Sequence, residues 1–66
     1  MTTEQERLEA FERLLADTRA QLADADAQLA ELKAAGKVKT VTYRELFGRK
    51  TMLKTMIATF DRYGLL

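Results

Sequence analysis

Residues 8–32 read LEAFERLLADTRAQLADADAQLAEL, and their apolar spacing decides the fold. Leu8, Phe11, Leu15, Thr18, Leu22, Ala25, Leu29 and Leu32 follow one another at alternating steps of three and four. This spacing returns to one side of an α-helix every seven residues. Leucine fills each a position, at 8, 15, 22 and 29, while Phe11, Thr18, Ala25 and Leu32 take d. The stretch predicts a long amphipathic helix with a coiled-coil seam.

Upstream, Thr3 and Glu6 match the Thr-x-x-Glu capping box, in which each side chain satisfies a free backbone N–H of the other. Downstream, Gly36 suits the left-handed residue that closes a helix. Together they predict a first helix over about residues 3–35. The connection, 36–42, is rich in β-branched residues and reads as an extended loop. Thr42 and Glu45 repeat the capping-box pattern, with Val41 placed to staple over Leu46. The second helix is predicted over about 43–63, ending at Gly64 with Leu65 returning towards Phe60. Gly48 lies inside it and costs about 1 kcal/mol against alanine, which leaves a continuous helix as the expectation.

Helix 2 repeats Leu46, Leu53 and Phe60 every seven residues, with Arg49, Met56 and Tyr63 between them. Folding the chain antiparallel, so that paired residue numbers add to 78, sets Ala25 against Leu53, Leu22 against Met56 and Thr18 against Phe60. Small residues then face large ones, as close packing requires. The same register brings Asp26 beside Lys50. Arg49 is expected to lay its stem in the seam and reach Glu45, one turn earlier. The fold class is therefore all-α: one domain over 1–66, an antiparallel helical hairpin with a long first helix and a shorter second. Leu8, Phe11 and Leu14 are expected to overhang helix 2, with only Leu65 and Leu66 to cover them. Two helices cannot enclose a core, so the hairpin is expected to dimerise into a four-helix bundle or coiled coil. The seam and dimer residues are Leu8, Phe11, Leu15, Leu22, Leu29, Leu32, Leu46, Leu53, Met56 and Phe60.

Composition narrows the chemistry. The 66 residues include no Cys, His, Ser, Asn, Trp or Pro. Disulfides, the common zinc sites, serine or cysteine nucleophiles and histidine bases are thus excluded. Asp17, Asp24 and Glu31 recur every seven residues, about 10 Å apart along a helix, too far for a two-carboxylate site. No enzymatic activity and no cofactor are expected. Nor does any stretch reach the roughly 20 apolar residues of a membrane helix, and the opening residues lack the basic start of a signal peptide. A cytoplasmic protein is the expectation.

Charge is divided unevenly. Residues 1–35 carry eight acids and four bases, whereas residues 36–66 carry seven bases and two acids. An acidic helix lying against a basic one accounts for this division. A second reading is a nucleic-acid surface built from Lys37, Lys39, Arg44, Arg49, Lys50 and Lys54. Tyr43 and Phe47 are expected to be core, leaving base stacking little support. Two stripes of small residues lie outside the seam: Ala16, Ala20, Ala23, Ala27, Ala30 and Ala34 on helix 1, and Gly48, Thr51, Thr55 and Thr59 on helix 2. The leading functional expectation is a non-enzymatic protein–protein interaction module that pairs with itself and with another protein. Its size and character fit a small regulator or inhibitor of phage or mobile-element origin.

Overall fold

The computed structural model describes residues 3–66 as two helices, α1 (Glu4–Ala34) and α2 (Val41–Arg62), with no strand among them. At the start of α1, the Glu6 N–H donates to Thr3 Oγ1 at 3.1 Å and the Thr3 N–H donates to Glu6 Oε1 at 3.3 Å. The capping box is complete. Glu4 and Glu6 in the first turn and Lys33 in the last also suit the helix dipole. At the far end Gly36 has φ +72°, so the chain reverses without a Cβ penalty. The Lys37 N–H then reaches Leu32 O at 2.8 Å and the Gly36 N–H reaches Lys33 O at 3.1 Å. These are the two bonds of a Schellman closure. Gly64 (φ +74°) ends α2 the same way, through Leu65 N–H to Phe60 O at 3.0 Å and Gly64 N–H to Asp61 O at 2.9 Å.

The start of α2 departs from expectation. Its cap is Thr40, not Thr42. The Tyr43 N–H donates to Thr40 Oγ1 at 3.2 Å, and that hydroxyl donates to Lys37 O at 2.8 Å. Thr40 thus satisfies a helix N–H and a turn carbonyl together, whereas Thr42 and Glu45 offered only the local box. Val41 becomes the first helical residue and is largely exposed rather than stapled over Leu46. The connection is a pair of turns instead of an extended segment. Beyond it α2 runs unbroken through Gly48.

Ala34 and Val41, rather than residues 35 and 43, now flank the turn. Phe60 meets Phe11, ring centroids 5.2 Å apart and edge-on at 81°. Phe11 does not overhang. The excess length of α1 is nine residues (31 against 22), about 14 Å. Leu8, within that excess, and Leu14, just beyond it, stay exposed. Lys50 Nζ does meet Asp26 Oδ1, at 2.7 Å.

Contacts that descend α1 while they ascend α2 make the pair antiparallel. The molecule is a rod of 49 × 18 × 17 Å with a radius of gyration of 15.2 Å, against about 11 Å for a compact chain of this length. Few side chains are fully enclosed: Thr18, Ala25 and Leu53 at 2% exposure, and Leu29. Thr18 is tolerated there because its hydroxyl donates to Leu14 O at 2.7 Å. No helix is long and apolar enough to cross a membrane among the described residues.

Candidate functional site

Burial divides the heptads of α1. At the d positions, Thr18 and Ala25 are sealed under α2, while Phe11 and Leu32 are half-buried. At the a positions only Leu29 is buried. Leu15 and Leu22 are half-open, and Leu8 is 53% exposed. The rest of the expected seam, Leu46, Met56 and Phe60 of α2, is half-buried around the enclosed Leu53.

Grooves follow this leucine row. One, of about 410 Å³, is lined by Glu4, Arg7, Leu8, Phe11 and Leu65. Another, of about 300 Å³, is lined by Leu22, Lys54, Ile57, Ala58, Asp61 and Leu66. Leu65 and Leu66 border the two in turn, so the C-terminal residues share in both.

The loop end is different in character. Val38, Lys39, Thr40, Tyr43, Arg44, Phe47 and Gly48 line an open cavity of about 510 Å³. Tyr43 and Phe47, one turn apart on α2, place their rings 6.4 Å apart and tilted by 31°. Phe47 is 52% exposed and therefore not a core residue, contrary to expectation. A helical wheel already carried the signal: Phe47 lies about 120° from Leu53, off the seam.

The six basic residues of the second reading lie in two settings, Arg49, Lys50 and Lys54 beside α1 or its groove and Lys37, Lys39 and Arg44 at the loop end. Arg49 turns to α1 and donates from Nη2 to Gln21 Oε1 at 3.0 Å, rather than reaching Glu45. Lys50 is held by Asp26, and Lys54 lines the lower groove beside Asp61. Lys39 and Arg44 border the aromatic cavity, with Lys37 in the turn just before it.

The remaining stripes are occupied locally. Thr51, Thr55 and Thr59 donate to Phe47 O, Thr51 O and Thr55 O at 3.0, 3.0 and 2.9 Å, so their hydroxyl protons bond within their own helix. On α1, Asp17 and Asp24 each accept from the glutamine one turn later, Gln21 and Gln28, at 2.7 Å. No cluster of three or more potential metal ligands occurs among the described residues. Comparison with family models, with curated proteins and with solved structures gave no match to this chain.

Proposed function

We propose that the chain is a non-enzymatic protein-interaction module that works as a homodimer, with the Leu8–Leu15–Leu22 flank as the contact between copies. The observation that carries this reading is the leucine row itself: the hairpin encloses Leu29 but leaves Leu15 and Leu22 half-buried and Leu8 53% exposed. Its accessible surface is 5335 Å², whereas a compact monomer of this length exposes about 4,200 Å². The excess of about 1,100 Å² exceeds the roughly 800 Å² that each partner contributes to a stable interface.

An antiparallel approach about Leu15 sets Leu8 of each copy against Leu22 of the other. It also sets Glu12 of each beside Arg19 of the other, because both pairs are symmetric about position 15 or nearly so. Ile57, Leu65 and Leu66 then close the sides of a four-helix bundle. The absence of Ser, Cys and His from the sequence supports a role in binding rather than catalysis. A small cytoplasmic regulator or inhibitor, presenting the outer helix faces of the dimer to a target protein, is the function that follows.

Sedimentation equilibrium from micromolar to submillimolar concentration tests the assembly. A dimer is expected, and apparent thermal stability should rise with concentration because folding and association are linked. Leu8→Glu should shift the protein to monomer, since charge on that flank must be buried on association. Ala20→Glu, about 120–160° round α1 from Leu8, Leu15 and Leu22, should not. A folded monomer throughout, or equal dissociation by both variants, overturns the proposal.

A further inference from the structure

The loop end lies at the far end of the hairpin from the Leu8 and Leu65 groove, and its chemistry is independent of the dimer. It combines an exposed aromatic face with cations on one short stretch of surface. Phe47 is 52% exposed and flanked by Tyr43, Lys39 and Arg44 around the 510 Å³ cavity. Among the described residues the one ion pair is Lys50–Asp26, so Lys37, Lys39 and Arg44 hold no carboxylate partner there. At Gly48 an added Cβ would meet nothing within 4 Å, so the wall beside the Phe47 ring is open.

We propose that this end binds single-stranded nucleic acid, with one base stacked on Phe47 over Gly48 and the flanking phosphates held by Lys37, Lys39 and Arg44. A nucleobase offers a flat apolar face to an aromatic ring while its backbone offers charge to the surrounding cations. In a duplex those faces are already stacked on neighbouring bases and cannot reach Phe47. A docking helix is also a poor fit. The helical wall from Tyr43 to Gly48 rises only about 7.5 Å, less than the two turns over which an amphipathic helix places its apolar contacts. Thr40 adds no phosphate contact through its proton, because that proton is committed to Lys37 O.

Fluorescence anisotropy with labelled oligouridylate and oligothymidylate, a duplex of equal length and a poly-glutamate peptide tests the site. Single strands should bind best. Three phosphate contacts should give a log–log salt slope of about −2. Phe47→Ala should weaken binding about ten-fold or more, with helicity unchanged because the ring is half outside the fold. Gly48→Leu should fill the cavity and abolish binding, while circular dichroism shows α2 intact or strengthened. Lys39→Glu with Arg44→Glu should remove most of the salt dependence, and Lys54→Glu, in the other groove, should have far less effect.

Several results would overturn the proposal: no binding, equal or tighter binding of duplex or poly-glutamate, or indifference to both Phe47→Ala and Gly48→Leu. A change of oligomeric state in Phe47→Ala would instead assign this face to contact between copies, which also overturns it. Loss of dimerisation by Leu8→Glu leaves each hairpin's site in place. The two proposals can therefore fail separately.

Discussion

Phe60 meets Phe11 edge-on, with 5.2 Å between ring centroids, and this contact ties the last turn of α2 to the early part of α1. Edge-to-face pairs of this kind contribute about 0.5–1.5 kcal/mol beyond simple burial. A double-mutant cycle with Phe11→Leu and Phe60→Leu should return a coupling energy in that range. Urea unfolding of the four proteins measures it. Additive effects would place the two rings apart in solution.

The two candidate caps of α2 are separable. Thr40→Ala removes both the acceptor for the Tyr43 N–H and the donor to Lys37 O, and should cost about 1 kcal/mol, within the 0.5–2 range of lost N-caps. Thr42→Ala should change stability by no more than about 0.5 kcal/mol, as at an ordinary exposed position. Comparing the denaturation midpoints of the two variants decides which threonine begins the helix.

Gly48→Ala should stabilise the protein. The new methyl meets no atom within 4 Å, and alanine in a helix interior is favoured over glycine by about 1 kcal/mol. For a domain of this size that corresponds to a rise of about 4–8 °C in melting temperature. A fall would mean that the methyl enters an interface the isolated hairpin does not contain.

Thr18 is sealed at 2% exposure, with its hydroxyl bonded to Leu14 O. Thr18→Val keeps the shape and leaves no buried donor unpaired, so its stability should stay within about 1 kcal/mol of the parent. Thr18→Leu overfills a fully enclosed position and should cost about 1–3 kcal/mol. Chemical denaturation distinguishes these outcomes.

The Lys50–Asp26 pair is short at 2.7 Å, yet its side chains are 32% and 49% exposed. Solvent screening limits such pairs to about 0.2–1 kcal/mol. The coupling between Lys50→Met and Asp26→Asn should be of that order in dilute buffer. It should largely vanish at 1 M salt, where the Debye length is about 3 Å.

What the sequence conveyed depended on how local each signal was. The α1 cap and both glycine closures rest on residues within one turn of each other, and these could be placed from the string alone. The start of α2 could not. Thr40 and Thr42 both precede the helix, and the choice turns on a hydroxyl contact to Lys37 O that exists only after Gly36 has reversed the chain. Across the two helices Lys50 meets Asp26 as the spacing implied. The Phe60–Phe11 contact and the turn of Arg49 to Gln21 in place of Glu45 depend on side-chain reach that the string does not show. Phe47 was misplaced for another reason: an aromatic residue beside a leucine in a helix suggests core until the wheel is centred on the residue that is actually enclosed, Leu53.

Lys37 belongs to both helices at once. Its N–H seals the last turn of α1 on Leu32 O, and its carbonyl accepts from the threonine that begins α2. The end of one helix and the beginning of the next are therefore fastened through a single peptide-linked residue. Fraying, ordinarily an independent event at each helix end, becomes shared at this corner. Amide protons of the last turn of α1 and the first turn of α2 should exchange with solvent as one unit, at a common opening free energy. At the opposite end of the rod no described residue bonds to the backbone of both helices, so those helix ends should open separately and sooner. The hairpin is thereby more cooperative at its corner than along its arms.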